Sequence, residues 1–465
     1  MPVDLGELLA VNSSPDAQRE PFLHEGAGDG ATADETTARL RSQQAVTVAL
    51  LFCGYAAYYF CRADLAAAMP MLVEDLRGRG VPHDVAVVRL GSIVSAGVLA
   101  YALGKIFLCG LGDWWGGRRS FLVGLGGATL FTALFAVGGG LPVFTLAWVG
   151  NRMVQSIGWA GLIKVSSKWF DFSSYGTIIG VLSLSYLVGD AVARPVMGLM
   201  IEHGFGWQSL FWIAAAVAGA LWLANGLLLR ESRTELGHSE ARVNPHNLYA
   251  TAEPRPVSLL EFVRPLLTSR AFGLVCLLSF GCTVIRETFN IWTPVYLRDA
   301  VGYSTARAAS LSAVFPAVGA VSVLVTGWLS DRLGPNGRPI LLLAGLAATA
   351  AALVSLTLFG AVAGRPGIAV LMIGVVAFCL LGPYSYLGGA FALDFGGKRA
   401  GAASSGIIDG VGYLGGALAG DGVARVSVAY GWRGVFFSLA AVSAASAIAA
   451  GSLYVDERRR FLERR

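Results

Sequence analysis

The sequence predicts an all-α membrane protein in which twelve transmembrane helices form two pseudo-symmetric six-helix bundles. Three observations lead to this prediction. Only 14% of the 465 residues are charged and 55% are hydrophobic, whereas soluble domains carry about 25% charged residues. Apolar runs longer than the ~20 residues of a membrane-spanning helix recur along the chain. Sequence motifs from the first half of the chain also return in the second half.

Twelve apolar stretches are candidate spans, and they fall into two sets of six. The first set is predicted at residues 45–73, 86–112, 119–138, 141–169, 175–202 and 208–230. The second set is predicted at residues 271–298, 304–331, 339–362, 367–393, 400–428 and 433–455. We therefore expect an N-terminal bundle over residues 44–230 and a C-terminal bundle over residues 270–456, joined by a polar linker over residues 231–269.

The polar segments predict the topology. Residues 1–43 contain no apolar signal-peptide core and are expected to form a disordered tail, and residues 457–465 form a basic tail. Lys and Arg are concentrated in the linker, in the basic tail and in loops on the same side, so the positive-inside rule places both termini in the cytoplasm. We expect a multi-pass protein of a bacterial inner membrane. The net charge of +5 then reflects topology and does not indicate nucleic-acid binding.

Two motifs occur once in each half. GLGDWWGGRR follows the second span and GWLSDRLGPNGRP follows the eighth, so that Asp113 and Asp331 lie 218 positions apart. FGWQSLFW matches YGWRGVFF, so that Trp207 and Trp432 lie 225 positions apart. Parallel six-helix repeats with a substrate site at their interface are typical of transporters.

The first repeated motif predicts ion pairs at the cytoplasmic end, which would hold an outward-facing state. In the alternative interpretation, these charges only set topology and solubility. The predicted gating residues are Asp113 with Arg118 and Arg119, and Asp331 with Arg332 and Arg338.

Three cations fall near the middle of predicted spans, namely Arg62, Lys105 and Arg286. A charge at the bilayer centre costs ~2.5–3.5 kcal/mol on insertion scales and therefore indicates a function. We favour an anion site, with snorkelling and structural ion pairs as alternatives. Asp64 lies two positions from Arg62 and faces away from it, and Glu287 is expected to be poorly placed to neutralise Arg286, because neighbouring helical positions point about 100° apart.

Polar side chains share helix faces with these cations. They are Tyr55 and Tyr59 beside Arg62, Tyr101 beside Lys105, and Asn290 beside Arg286. Hydroxyl groups beside guanidiniums suit an oxyanion, and the planar fork of arginine matches phosphate. Aromatic residues at such spacing can also be simple packing.

Other polar residues in the spans give weaker signals. Asp190 and Arg194, four positions apart, predict an ion pair within one helix. In a proton-coupled transporter, these two residues and Arg152 would be the coupling group. The six cysteines lie inside apolar runs without metal-ligand spacing and are expected to be small buried side chains. We recognise no metal cluster, nucleotide loop or nucleophile–base arrangement, so the sequence predicts neither a cofactor nor an enzyme.

Several segments resemble the organophosphate:phosphate antiporters of the major facilitator superfamily, the group that contains the glycerol-3-phosphate and hexose-6-phosphate carriers. The resemblance is carried by GYAAYYFCRADLAAAMP (54–70), YALGKIFLCGLGD (101–113), VQSIGWAGLIK (154–164), IRETFNIWTPVYL (285–297) and GYLGG (412–416). It extends over nearly the whole chain. It implies the major facilitator fold and alternating-access exchange of an organic phosphate for inorganic phosphate, by a protein expected to function as a monomer.

The resemblance also implies the site. Arg62 and Arg286, one from each bundle, would be paired phosphate-binding arginines that meet across the pore. The residues implied around them are Lys105, Tyr55, Tyr59, Tyr101, Tyr413, Trp159 in the fourth-span motif, Tyr186 at the position of a fifth-span histidine, and Asn290.

The chain departs from the family pattern at five further positions. Ala63 and Ile291 replace a lysine and an acidic residue, so that one interhelical salt bridge is missing. Pro316 stands in place of a glutamate, and Ala160 and Gly161 replace a proline pair. The phosphate end is intact, while the organic substrate and the coupling ion are left open. The alternatives are proton-coupled transport of another small anion and a transporter-like sugar-phosphate sensor.

Overall fold

The computed structural model describes residues 33–108, 115–241, 266–333, 337–359 and 365–463. These residues form α-helices with short 3-10 and π-helical segments, and they include no β-strand. Ten of the described helices are long and apolar enough to cross a membrane. Residues 1–42 form one unit and residues 43–465 a second, compact unit. All contacts described below lie within the second unit.

The described residues of the first half form seven helices. They are α1 (Ala33–Gly78), α2 (His83–Leu108), α3 (Gly117–Val137), α4 (Leu141–Gln155), α5 (Gly158–Trp169), α6 (Phe172–Glu202) and α7 (Trp207–Leu228). The predicted fourth span is therefore two short helices. It is interrupted at Ser156, whose hydroxyl donates a hydrogen bond to the Met153 carbonyl at 2.6 Å.

In the second half, the described residues also form seven helices, after a 3-10 turn at Arg233–Leu236. They are α8 (Arg270–Asp299), α9 (Thr305–Leu311), α10 (Val314–Leu333), α11 (Gly337–Phe359), α12 (Gly367–Tyr384), α13 (Ala392–Gly416) and α14 (Asp421–Glu463). A π-helical turn (Leu387–Phe391) precedes α13, and a 3-10 turn (Ala417–Ala419) follows it.

Twelve spans account for these helices, which confirms the predicted fold. The fourth and eighth spans are each split into two helices, and the eleventh span continues from α13 into α14. Gly431 separates the eleventh from the twelfth span inside α14, with φ +66° and ψ −175°. Glycine adopts this backbone conformation without the steric cost that a Cβ would add.

Helix ends differ from the predictions at both tails. Helix α1 begins at Ala33, so residues 33–43 are helical where a disordered tail was expected. The Ala, Glu, Arg, Leu and Gln residues in this stretch are good helix formers. Residues 1–32 lie outside the described part. At the other terminus, α14 continues to Glu463 through most of the predicted basic tail.

Helices α1 and α8 run in the same direction, as parallel repeats require. Near the end of α8, Arg298 donates hydrogen bonds to Glu74 (2.9 Å) and to the Pro70 carbonyl (3.2 Å), both near the end of α1. We call this side of the bundle the far end. The opposite side, where α7 ends and α8 begins, is the linker end.

The two halves pack tightly at the far end. Helix α2 contacts α13 and α14, while α6 contacts α9 and α10. A Cβ added to Gly420 would lie 2.4 Å from the Gly91 carbonyl oxygen, and one added to Gly198 would lie 2.7 Å from the Ala306 carbonyl oxygen. Side chains at these glycines would therefore force the halves apart.

Candidate functional site

A cavity of about 230 Å³ lies between the two halves. Eight of the ten predicted substrate-binding residues line it, namely Tyr55, Tyr59, Tyr101, Lys105, Trp159, Tyr186, Arg286 and Tyr413. The other two, Arg62 and Asn290, line a smaller cavity of about 30 Å³ that shares Tyr59 with the first. The sequence therefore identified side chains that the fold brings together from both halves.

Two tyrosines join the halves at the centre of this site. The rings of Tyr101 on α2 and Tyr413 on α13 meet edge-on with their centroids 4.8 Å apart. We call these two residues the tyrosine pair, and four cations surround it. The Tyr101 ring centroid lies 4.6 Å from the Arg62 guanidinium and 4.9 Å from that of Arg152. The Tyr413 ring centroid lies 5.4 Å from the Arg286 guanidinium, and Lys105 Nζ lies 5.6 Å from the Tyr101 centroid and 5.5 Å from the Tyr413 centroid. Each distance is within the range of a cation–π interaction. Arg62 and Arg286 thus contact different rings of the pair.

Arg62 is held by a neutral hydrogen-bond chain. Helix α1 is locally distorted at the preceding residue, Cys61, where ψ is 16°. Arg62 Nε donates to Gln155 Oε1 at 2.5 Å, and Gln155 Nε2 donates to Asn151 Oδ1 at 2.5 Å. Asn151 in turn donates to the Thr132 hydroxyl at 2.9 Å. This chain fixes the position of the Arg62 guanidinium without neutralising its charge.

Arg286 is held by a carboxylate. Its Nη2 donates to Glu287 Oε1 at 2.6 Å and to the Tyr413 hydroxyl at 3.0 Å. The expectation that Glu287 is poorly placed to neutralise Arg286 is therefore wrong. Helical spacing fixes only the Cα–Cβ directions, whereas both side chains are long enough to fold back toward each other. The second Glu287 oxygen lies 3.9 Å from Arg152 Nη2, across the interface of the halves.

Lys105 is also paired across the interface, with a residue that the sequence analysis missed. Its Nζ lies 2.7 Å from Asp409 Oδ2 on α13. The available signal was a carboxylate inside the apolar stretch SSGIIDGVGYLGG, because ionisable residues within spans mark functional positions. Among the described residues, the four cations around the tyrosine pair and these two carboxylates leave a net charge of +2.

The predicted pair of Asp190 and Arg194 on α6 is confirmed as an ion pair. Arg194 Nε donates to Asp190 Oδ1 at 2.9 Å, and its Nη2 donates to Oδ2 at 3.1 Å. Arg194 also donates to the Ser312 hydroxyl at 3.0 Å and to the Asn290 carbonyl at 2.8 Å, both in the other half. The pair is buried, balanced in charge and well hydrogen-bonded.

At the linker end, the carboxylate that binds the first repeated motif is Glu231. It accepts hydrogen bonds from the backbone N–H groups of Gly117 and Arg118 (2.9 and 2.6 Å) and from Lys168 Nζ (2.7 Å). Burial raises the pKa of Glu231, but these three hydrogen bonds and the Lys168 charge outweigh burial and hold its pKa below the usual range. Asp113, the predicted partner of Arg118, lies outside the described residues.

The other predicted gating residues lie at helix ends on the linker side. Arg119 is exposed near the start of α3, and Arg338 is near the start of α11. The guanidinium of Arg332 stacks over Trp328, 4.0 Å from the ring centroid. The side chain of Asp331 lies outside what the structure describes. The predicted Asp–Arg pairs at this end therefore remain predictions.

The cysteines are not uniformly buried. Cys61 and Cys282 are buried as expected, but Cys53 on α1 is exposed, so the expectation is wrong for that residue. An apolar thiol on an outward helix face costs nothing where the surrounding solvent is lipid. Cys109 lies outside the described residues. No group of three His, Cys, Asp or Glu side chains within the described ranges is arranged to hold a metal ion.

Comparisons with known proteins agree with this architecture. A family model described as Major Facilitator Superfamily matches residues 51–420. The chain is 27% identical over 409 residues to the probable hexose phosphate transport protein of Chlamydia pneumoniae, covering 84% of this chain and 87% of that protein. It is 23% identical over 430 residues to the glycerol-3-phosphate transporter of Bacillus subtilis, covering 90% and 94%. It is also 25% identical over 441 residues to the membrane sensor protein UhpC of Escherichia coli, covering 92% and 96%.

Solved structures show the same fold at low sequence identity. A D-xylose-proton symporter aligns with a TM-score of 0.70 and 13% identity, covering 87% of this chain and 96% of that one. A bacterial homologue of the human lysosomal transporter Spinster aligns with a TM-score of 0.68 and 15% identity, covering 91% and 98%. The resemblance identified in the sequence and the fold expected from it are confirmed.

Proposed function

The chain belongs to the Major Facilitator Superfamily, and from this premise we propose that it is a secondary transporter that exchanges an organic phosphate ester for inorganic phosphate. The observation that carries the proposal is the excess of positive charge at the interface of the halves. Four cations surround the tyrosine pair, and two carboxylates offset half of their charge. A net charge of +2 in a membrane interior matches a phosphate monoester, which carries about −1.5 to −2 at pH 7.

The surroundings of the cations favour a small phosphate ester. The cavity volume of about 230 Å³ is below the usual range for drug-sized ligands, so a glycerol phosphate or a sugar phosphate suits it better than a nucleotide. Tyrosine and serine hydroxyls in the lining can bind the hydroxyl groups of such a ligand. The relatives named as hexose phosphate and glycerol-3-phosphate transporters support this substrate class.

The arrangement of the halves favours alternating access. The halves are in contact at the far end, while the lining of the cavity includes Lys105, near the linker end of α2, and Gly388, in the turn before α13. The distribution of Lys and Arg supports a cytoplasmic linker and cytoplasmic termini in a bacterial inner membrane. On this orientation, the conformation is the inward-facing state of a carrier whose two bundles rock around a central site.

The uncompensated charge also accounts for obligatory exchange. With the cavity empty, the like-charged arginines of the two halves repel each other in a partly desolvated space and oppose closure at the linker end. A bound phosphate dianion neutralises them and allows the bundles to reorient. The carrier therefore changes state only when loaded, so that one phosphate compound enters as another leaves.

Proteoliposomes provide the test. The purified full-length protein is reconstituted with internal phosphate and challenged with radiolabelled glycerol-3-phosphate, hexose phosphates and phosphate itself. We expect uptake of at least one organic phosphate that depends on internal phosphate and is unaffected by an imposed pH gradient. Uptake that needs the pH gradient and not internal phosphate would instead support proton-coupled transport by Arg152, Asp190 and Arg194.

A second candidate function is sensing, because one relative is named a membrane sensor protein. A sensor with this site would bind a sugar phosphate with little or no flux. Phosphate-ester binding to the purified protein without measurable exchange in proteoliposomes would favour the sensor over the carrier.

A further inference from the structure

Glu287 lies between two arginines that belong to different halves of the protein. One of its carboxylate oxygens accepts a hydrogen bond of 2.6 Å from Arg286 on the same helix, α8. The other lies 3.9 Å from Arg152 Nη2 on α4. Within the described residues, no other carboxylate forms a salt bridge with either arginine. A single anion is therefore shared by cations from both bundles.

This small cluster has unused hydrogen-bond donors. The Arg152 and Glu287 side chains are only 4% and 6% exposed, yet Arg152 Nε and Arg286 Nε find no hydrogen-bond partner among the described residues. Buried donors of charged groups are costly when they are left unpaired. The two arginine Nε donors of the cluster thus stay free. A purely structural role would favour pairing such donors, as in Arg194, whose Nε and Nη2 donate to Asp190.

The space around Glu287 is much smaller than the main cavity. The cavity that Glu287 lines with Arg62 and Arg152 has a volume of about 30 Å³, whereas the cavity that Arg286 lines has a volume of about 230 Å³. Arg286 lines the larger cavity, whereas Arg152 lines the smaller cavity together with Glu287. An anion that binds both arginines therefore competes with the Glu287 carboxylate, which already lies next to both.

Building on the proposed function, we propose that Glu287 is an internal competitor of the substrate phosphate and that Arg152 is a third phosphate-binding arginine. In the empty carrier, the Glu287 carboxylate occupies the donors of Arg286 and approaches Arg152. Substrate phosphate takes over these donors, and the carboxylate returns when the substrate leaves. The competition weakens binding and thereby speeds release, which a carrier needs for turnover.

Phosphate binding to purified protein in detergent, measured with radiolabelled inorganic phosphate, tests this inference. Glu287→Gln removes the competing charge and keeps the side-chain size. We expect its Kd for phosphate to fall by about tenfold or more, while the maximal exchange rate in proteoliposomes also falls because release is slower. Glu287→Asp keeps the charge but withdraws the carboxylate by one methylene group, and we expect its Kd to fall only about threefold. Arg307→Gln, an exposed arginine on Tyr303, is the matched control and leaves Kd unchanged.

The role of Arg152 is tested by substituting it in the wild-type protein and in the Glu287→Gln variant. Arg152→Gln alone should raise the Kd about tenfold. The same substitution added to Glu287→Gln should raise the Kd by a similar factor and return it close to the wild-type value, because Arg152 then contacts the phosphate without a competitor. If Arg152 only positioned Glu287, the substitution would have no effect in the Glu287→Gln background, and the assignment of Arg152 would be overturned.

The remaining outcomes separate this inference from the proposed function. A folded Glu287→Gln protein that binds phosphate with an unchanged or higher Kd overturns the role of Glu287 and leaves the proposed function intact. If Glu287→Gln does not fold, a higher Kd for phosphate in Glu287→Asp would equally overturn the role of Glu287 as a competitor. A wild-type protein that binds neither phosphate nor any phosphate ester overturns the proposed function and this inference with it.

Discussion

The two buried charge clusters of this protein are built on opposite principles. In the α6 cluster, Asp190 and Arg194 share two hydrogen bonds, and the remaining donors of Arg194 bind Ser312 and the Asn290 carbonyl. In the central cluster around the tyrosine pair, as far as the structure describes the chain, cations outnumber carboxylates and two arginine Nε atoms have no hydrogen-bond partner. Both clusters bridge the halves. Only the second cluster retains charge and donors for a ligand.

The difference in net charge between the two clusters shows under which conditions an unbalanced charge is tolerated in a membrane interior. A balanced pair costs less in a low-dielectric interior, so it can serve as a permanent link. An unbalanced group persists only because a polar cavity and the tyrosine rings partly solvate it. We infer that the α6 cluster stabilises the structure and that the central cluster binds the substrate. Substitutions in the two clusters should therefore affect different measurements.

The largest effect is expected from the central arginines. Arg62→Gln or Arg286→Gln should reduce phosphate exchange at least about 100-fold, because each arginine can form two charge-assisted hydrogen bonds to phosphate, worth about 1.5–3 kcal/mol each. The thermal unfolding temperature in detergent should stay equal or rise for Arg62→Gln, since an unneutralised buried charge is removed. It should fall for Arg286→Gln, because Glu287 is then left buried with only Arg152 nearby, at 3.9 Å. Arg307→Gln serves as the control in both assays. Exchange at more than a tenth of the wild-type rate in either variant would contradict the assignment.

The next effect is a loss of stability in the α6 cluster. Asp190→Asn leaves Arg194 buried without its counter-charge, which costs about 3–5 kcal/mol. We expect a clearly lower unfolding temperature, and a Kd for phosphate in the folded fraction that is unchanged. Asp190→Asn combined with Arg194→Leu should recover part of the loss. An unchanged unfolding temperature together with lost transport would instead identify Asp190 as a coupling residue.

A smaller effect is expected at Lys105 and Asp409, an ion pair that belongs to the central cluster but is itself balanced in charge. This pair bridges the halves but is partly exposed to the cavity, with 13% and 26% of the two side chains accessible. Water therefore replaces much of the lost interaction, and Asp409→Asn should cost about 1 kcal/mol or less of stability. The released Lys105 should tighten phosphate binding about threefold. Weaker binding in Asp409→Asn would show that the carboxylate contacts the substrate's polar groups directly.

The helices of this protein could be predicted because their signals are local. Hydropathy, span length and the repeated motifs are visible in single segments of about twenty residues, and they gave twelve spans in two sets. The break at Ser156 was not predictable, because it depends on a side chain folding back onto its own helix where α2 packs closely. Gly104 is so close to Ser156 that an added Cβ would lie 2.3 Å from its Oγ.

The sequence allowed us to predict which residues form the candidate site, but not which contacts they make. Midspan cations and their helix faces identified residues that the fold assembles from sequence positions more than 300 apart, such as Tyr101 and Tyr413. The partners of these cations were missed. Gln155, Glu287 and Asp409 act across helix interfaces or through flexible side chains, and neither property is encoded in the spacing along one helix.

The smallest expected effect concerns the linker end, where the charge of Glu231 is balanced by Lys168 and by two backbone N–H groups. Because its pKa is lowered in the folded state, its contribution to stability is complete above the ordinary glutamate pKa of about 4.3. The contribution is lost as the pH falls through the lowered value. Glu231→Gln should therefore lower the unfolding temperature by about one degree at pH 7, for a loss of about 1 kcal/mol at a helix N-terminus.

Between pH 5 and pH 3, the wild-type unfolding temperature should fall more steeply than that of Glu231→Gln, because only the wild-type protein has this carboxylate to protonate. Glu235→Gln changes an exposed glutamate in the same pocket and should follow the wild-type curve. Parallel curves for wild type and Glu231→Gln would mean that Glu231 contributes no proton-linked stability, so that the linker end would depend on its hydrogen bonds and not on its charge.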